Sequence, residues 1–314
     1  MADIISNHSI LYLQKKKLLV ELSYNEYEWG GLIVYVPMMK TRQEEFRVAK
    51  ELNFCYSEKI IPLFEIVDEI YETKYKTDEN GDYLKELKEG NTRKTRVKEE
   101  RTSDDIITLD KINDIVKKAT VFIDYFRFDI KKYGTNLDLN SLQLAYKLNN
   151  NNNEYVKKLK EVSKKYKNMI PVFSLKKPFH FSNYDIINII NQLQMLNSSI
   201  ALRIEDEFFD LHKNVIEEEL RESDFLLYDI NEQNFNSKII ELEDVKNCTT
   251  KAKKVILNSP KVLKRATKEY ENKQISALTD NTAAKEYSKY NFDGFGDYGG
   301  LKDQLPLRDR KSVV

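Results

Sequence analysis

Eight short apolar runs alternating with amphipathic stretches predict an α/β chain folded as a (β/α)₈ barrel. Three observations carry the prediction. The runs are brief and rich in β-branched and aromatic residues, as buried strands are. Most are continuously apolar rather than alternating, which suits parallel strands covered on both faces. All eight fall within about 270 residues, the count and size of such a barrel. An open doubly wound parallel sheet is the alternative.

In chain order, the first strand is GLIVYVPMMK (31–40), followed by the helix RQEEFRVAKELNF (42–54) with Phe46, Ala49 and Leu52 at helical spacing. KIIPLFEIV (59–67) is the second strand. The helix DKINDIVKKA (110–119), carrying Ile112, Ile115 and Val116, leads to the third strand, TVFIDYF (120–126). MIPVFSLKK (169–177) is the fourth, and SNYDIINIINQLQML (182–196) is a helix with Ser182 as its N-cap. SIALRIED (199–206), DFLLYDIN (224–231), KKVILNSP (253–260) and NFDGFGDY (291–298) complete the strands. Helices EFFDLHKNVIEEELRES (207–223) and SKIIELEDVKN (237–247) lie between them.

Two features strain this reading. Pro37, Pro62 and Pro171 sit inside strands in similar settings, YVPMMK, IIPLFE and MIPVFS, and proline removes a ladder donor. A bulge or strand-entry position would reconcile them. After Asp297 there are 17 residues, too few and too polar for a good eighth helix, so the barrel is expected to be incomplete there or closed by a partner chain. Residues 1–30 read as an N-terminal helical extension and 31–314 as one barrel domain. The insertion at 68–105 is more than half charged, which predicts either a solvated mobile arm or a lid or docking arm over the barrel mouth.

Composition excludes several classes. Fifty-one basic residues balance fifty-one acidic ones, so nothing global recruits nucleic acid or an anionic membrane. No apolar run approaches membrane-spanning length and no signal-peptide pattern opens the chain, so a cytoplasmic protein is expected. Cys55 and Cys248 lie too far apart in sequence for a metal-knuckle or disulfide framework. The run NNNNNE from Asn149 is a compositional feature only.

Barrel chemistry gathers where strands end. The polar residues closing the runs are Lys40, Glu65, Asp124, Ser174 with Lys176, Arg203, Asp229, Asn258 and Asp297. Lys40, Glu65 and Ser174 each follow a strand proline by three residues, so they share one face. Lys40, Glu65, Asp124, Arg203, Asp229 and Asp297 form the expected catalytic ring. Glu65, Asp124 and Asp297 would supply oxygen ligands to Mg²⁺ if a metal is used, since no His or Cys ends a strand. The bland reading is a rim of structural ion pairs, such as Lys40 with Glu65 or Arg203 with Asp229. Lys40 and Lys176 are also conceivable Schiff-base amines. His180, in KKPFHF, is the histidine nearest the expected mouth. Four of nine glycines fall in FDGFGDYGGLKD (292–303): Gly299 and Gly300 would cradle phosphate after the last strand, and Gly294 and Gly296 would admit a neighbouring backbone.

YVPMMKTRQEEF with its helix, IIPLFEIV, VFIDYFRFD and the late GFGDYGG resemble the prokaryotic Beta protein family of phage and mobile-element regions, over roughly residues 33 to 300. The resemblance implies a barrel-like fold and a setting in phage–host conflict. It brings no catalytic residues with it. The expected function is therefore recognition of a phage or host protein component through the carboxyl face. The alternative is a Mg²⁺-dependent hydrolase or lyase acting on a phosphorylated small molecule or nucleotide.

Overall fold

The computed structural model describes residues 34–87, 92–133, 137–260, 280–298 and Leu305. The expected extension at 1–30 and the pair Gly299 and Gly300 lie outside them. Eight parallel strands close into a barrel: β1 (Val34–Lys40), β2 (Leu63–Ile66), β3 (Val121–Tyr125), β4 (Met169–Leu175), β5 (Ala201–Glu205), β6 (Phe225–Asp229), β7 (Lys253–Leu257) and β8 (Gly294–Tyr298). All eight coincide with the apolar runs. Closure is made within this chain, by β1 pairing with β8 from Val34↔Gly294 to Met38↔Tyr298. That pairing excludes the open sheet, and no partner chain is needed for it.

The strand prolines sit where the ladder on one side has not yet begun, although Pro37 pairs with Asp297 and Pro171 with Ile123 on the other. Pro62 immediately precedes β2, and Pro171 precedes the first β4–β5 rung, Val172↔Ala201. Pro37 lies opposite Pro62, between the isolated rung Tyr35↔Ile60 and the ladder that starts at Met38↔Leu63. Only Pro62 lies at a strand entry; Pro37 and Pro171 lie inside β1 and β4, each ahead of the ladder on one side, where a missing N–H is tolerated.

Around the barrel run α1 (Gln43–Glu51), α2 (Thr108–Val116), α3 (Gln143–Asn149), α4 (Asn152–Lys165), α5 (Asn183–Leu196), α6 (Asp206–Glu219), α7 (Ile239–Lys246) and the short α8 (Thr282–Glu286). Ser182 does cap α5: its hydroxyl accepts from Asp185 N–H, and the Asp185 carboxylate reaches back to Ser182. The asparagine run proves structural. Asn151 caps α4 by accepting from Glu154 N–H, and Asn149 bridges the Phe128 N–H and C=O at 3.0 and 2.8 Å. Periodicity missed α3 and α4 because the asparagine run that ends the first and opens the second carries no apolar stripe.

Side-chain parity divides the barrel into two packed layers. Tyr35, Met39, Phe64, Ile123, Phe173, Leu202 and Leu226 face the helices and belong to the large outer core. Val36, Met38, Leu63, Phe122, Val172, Ala201, Leu227 and Leu257 face inward and fill the interior. Each such Val, Leu or Phe contributes about 1.5–3 kcal/mol by leaving water, so the interior is a packed plug and not a channel.

The charged insertion is an ordered antiparallel ribbon. Tyr71 pairs with Ile106, Tyr75 with Lys98, and the short strands Lys85–Glu86 and Thr95–Arg96 pair with each other. The Arg96 guanidinium lies over Tyr83 at 4.2 Å and Tyr75 at 5.6 Å. At its root, Lys74 Nζ contacts Asp105 at 2.6 Å, and Thr102 donates its N–H and hydroxyl to the same carboxylate. Lys74, then Thr102, draw the Asp105 pKa down to about 2, below an ordinary Asp near 3.9. A depressed carboxylate stabilises the fold above its unfolded pKa and loses that contribution as pH falls through the folded value. An NMR titration should therefore place the Asp105 midpoint near 2 and move it upward in Lys74→Ala. An unchanged midpoint in that variant would break the assignment.

Candidate functional site

The inward parity that places apolar residues in the barrel's lower layers places charges at its carboxyl end. Lys40, Glu65, Asp124, Ser174, Arg203 and Asp229 all end strands on the inner face and are almost completely buried. Register explains their convergence: Lys40 pairs with Glu65, Glu65 with Asp124, and Ser174 with Arg203, on neighbouring strands. One layer of the barrel is therefore polar.

Arg203 is its hub. Nη1 donates to Glu65 Oε1 at 2.7 Å and Asp124 Oδ2 at 2.9 Å. Nε and Nη2 both reach Asp229 Oδ2, at 2.9 and 2.6 Å, and Nη2 also donates to the Tyr298 hydroxyl at 3.0 Å. Tyr298 passes its own proton donor to Glu65 Oε1 at 2.7 Å, and Ser174 Oγ donates to Asp124 Oδ2 at 2.8 Å. Lys40 Nζ stands 3.2 Å from Glu65 Oε2 and over the Tyr298 ring at 4.6 Å. Charge-assisted bonds of this kind are the strong ones, and here each replaces water lost on burial.

The two central carboxylates respond oppositely. Burial works to raise both. For Glu65 it is overcome by Lys40, Arg203 and Lys176, which hold the carboxyl well below its usual range. For Asp124 burial prevails over Lys176 and Arg203, and its pKa is raised. Asp124 Oδ1 is buried without a hydrogen bond among the described residues. Burial lowers the Lys176 pKa against the pull of Asp124. The layer thus holds an ionised acid, a reluctant acid and a reluctant base within one barrel mouth.

A cavity of about 70 Å³ opens above this layer, lined among others by Phe126, Arg127, Lys176, Arg203, Asn231 and Tyr298. Arg127 was not among the residues expected from sequence. Its guanidinium is buried between Tyr155 at 3.8 Å and Phe179 at 4.1 Å, and it donates to Asn152 Oδ1 and the Ser174 carbonyl. The asparagine run and the KKPFHF loop together hold it there.

Asp297 does not join the ring. Its carboxylate accepts from the Tyr35 hydroxyl at 2.7 Å, and Tyr35 belongs to the outer, helix-facing layer. The adjacent Tyr298 takes the inward position. The physical reason is parity: Gly294 and Gly296 face inward, so the next inward residue of β8 is 298, and a one-residue offset reverses the face. The expected metal set of Glu65, Asp124 and Asp297 is consequently not assembled. Glu65 and Asp124 are adjacent but share the Arg203 guanidinium where a cation would sit. Among the described residues no three His, Cys, Asp or Glu side chains gather to hold a metal ion. His180 packs edge-on to Phe208, with ring centroids 5.7 Å apart, and is exposed. Asn258 is structural, its amide donating to the Asn231 and Gln233 carbonyls.

Gly294 and Gly296 do admit a neighbouring backbone. A Cβ at Gly294 would lie 1.9 Å from the Val34 carbonyl oxygen, and one at Gly296 would lie 2.6 Å from that of Val36. Beyond β8, Leu305 is buried in a cluster with Val67, Phe126 and Phe128, beside the mouth.

Among the described residues no helix is long and apolar enough to cross a membrane. No curated protein matches the chain. The sequence profile of the Beta protein family matches residues 35–311, most of the barrel and its loops. With closed barrel and matching profile together, this chain is a member of the Beta protein family.

Proposed function

We propose that this barrel recognises a phage or host component through the carboxyl-terminal face of its strands, in the cytoplasm, as part of a phage–host conflict system. The phage setting rests on the family. The observation that carries the recognition reading is the Arg203 hub: the ring's carboxylates are already bonded to Arg203, Lys40 and Tyr298, so they hold a surface rigid rather than wait for a metal. The cavity of about 70 Å³ fits a protruding group and is well below the roughly 300 Å³ at which pockets for whole small molecules begin. The ribbon at 68–105 adds exposed Tyr83, Leu84 and Leu87 as a second contact surface on the same chain. The hydrolase or lyase alternative keeps Glu65 and Asp124 but has lost Asp297 from its ligand set, which makes it the weaker reading.

Phage plating on host cells that express the chain tests the proposal. Wild type should change plating efficiency, downward for defence and upward for counter-defence. Charge reversal at the rim, at exposed Lys177 (Lys177→Glu) with half-buried Glu205 (Glu205→Lys), should abolish the change while leaving the fold intact. Plating identical with wild type, rim variant and empty vector would remove the reading. A thermal shift produced by nucleotide only when Mg²⁺ is present would favour the hydrolase instead.

A further inference from the structure

The four cations at the mouth are not equally occupied. Lys40 and Arg203 are bonded to Glu65, Asp124 and Asp229. Lys176 and Arg127 both line the cavity, and among the described residues neither forms an ion pair. The Lys176 amine lies over the Phe126 ring, 5.2 Å from its centroid. Arg127 faces aromatic rings and two neutral acceptors, and its Nε is buried without a hydrogen bond. Both residues are at least nine-tenths buried. Buried cations are ordinarily paired, because desolvation without a counter-charge is costly.

We propose that this cavity binds a small anionic group, a carboxylate or a phosphate, on Lys176 with Arg127 behind it. The inference rests on the recognition reading and names the chemistry that the face recognises. Size agrees, since about 70 Å³ accommodates one such group and not a nucleotide. The surrounding acids do not pre-empt the site. Glu65, Asp124 and Asp229 are bonded to Arg203, Glu205 accepts from Lys177 N–H, and Asp129 accepts from Lys131 N–H. Lys177 Nζ reaches Glu207 at 3.3 Å, and Glu45, at the start of α1, accepts from Lys40 N–H. Burial depresses the proton affinity of both Lys176 and Arg127 in the free protein. An arriving anion opposes that for Lys176 by favouring the charged amine, so binding weakens as pH rises through the lysine's range.

The test uses the full chain with sodium phosphate and sodium acetate, against sodium chloride at equal ionic strength, read by calorimetry and thermal shift. Wild type is expected to bind at least one of the two anions beyond the chloride control. Preference for phosphate indicates a phosphorylated source, and preference for acetate a carboxylate-bearing one. Lys176→Met should weaken binding roughly ten-fold or more, as loss of a charged hydrogen bond does, and Lys176→Arg should restore most of it. Affinity that falls as pH is raised through the lysine range reports the charged amine even if the methionine variant fails to fold. No binding beyond chloride, affinity that does not fall with rising pH, or undiminished affinity in a folded Lys176→Met variant would each overturn the site. A chain that binds the anion but leaves phage plating unchanged refutes the recognition reading alone. One that alters plating and binds neither anion refutes this inference alone.

Discussion

Replacing Arg203 by methionine should destabilise the barrel by about 3–5 kcal/mol or prevent folding, the range seen when one partner of a buried ion network is removed. Three carboxylates, on Glu65, Asp124 and Asp229, accept from this one guanidinium inside the closed barrel. Lys40 and Lys176 cannot take its place, since Lys40 already sits on Glu65 and Lys176 makes no ion pair among the described residues. The pH dependence has a definite sign. In wild type, Glu65 is held below its unfolded pKa, so its contribution is present above the ordinary carboxylate range and lost on acidification. In the variant the buried acids would instead be pushed above their unfolded values, so the defect should shrink as pH falls. Adding Glu65→Gln, Asp124→Asn and Asp229→Asn should recover part of the loss, because a neutral polar layer costs less than an unpaired charged one. Urea denaturation from neutral pH down through the carboxylate range measures all of this. A loss under about 1 kcal/mol would mean that the hub is ornamental, like an exposed ion pair.

The second large effect is expected at Gly294. Its missing Cβ is occupied by the Val34 carbonyl oxygen, with the Val34 carbonyl carbon and Cα also inside 3 Å. These are backbone atoms of the strand that closes the barrel, so no rotamer change relieves the clash. Gly294→Ala should therefore cost about 3 kcal/mol, at the upper end for overpacking. It should act specifically on the β1–β8 seam, visible as lost amide-exchange protection there before the rest of the barrel opens. Gly296→Ala should be milder, because one of its close contacts is the movable Leu257 side-chain tip at 2.7 Å, although Val36 O at 2.6 Å remains. Equal protection of the seam in wild type and Gly294→Ala would contradict this account.

These two sites illustrate what could be read before folding. The eight strands were legible because fully buried parallel strands need continuous apolar runs, and such runs are rare elsewhere in a chain this charged. Lys40, Glu65, Asp124, Arg203 and Asp229 were legible because a strand end inside a barrel is where apolar packing stops. The glycines at 294 and 296 were legible as points of close approach. Tyr298 was missed in favour of Asp297, although parity from Gly296 would have chosen it. Arg127 left no signal at all. It lies beyond the end of β3, and its place is set by Tyr155 on α4, Asn152 from the asparagine run and Phe179 from the loop after β4.

Local sequence by itself determined the element order and the set of polar residues that could meet at one rim. Those follow from burial, periodicity and backbone sterics, which act within a few residues. Only the tertiary structure decided that β1 meets β8 within this chain, that Arg203 joins the carboxylates, and that Lys176 and Arg127 line the cavity without carboxylate partners among the described residues. Such outcomes depend on register between strands far apart in sequence, where a shift of one residue exchanges the barrel's inside for its outside.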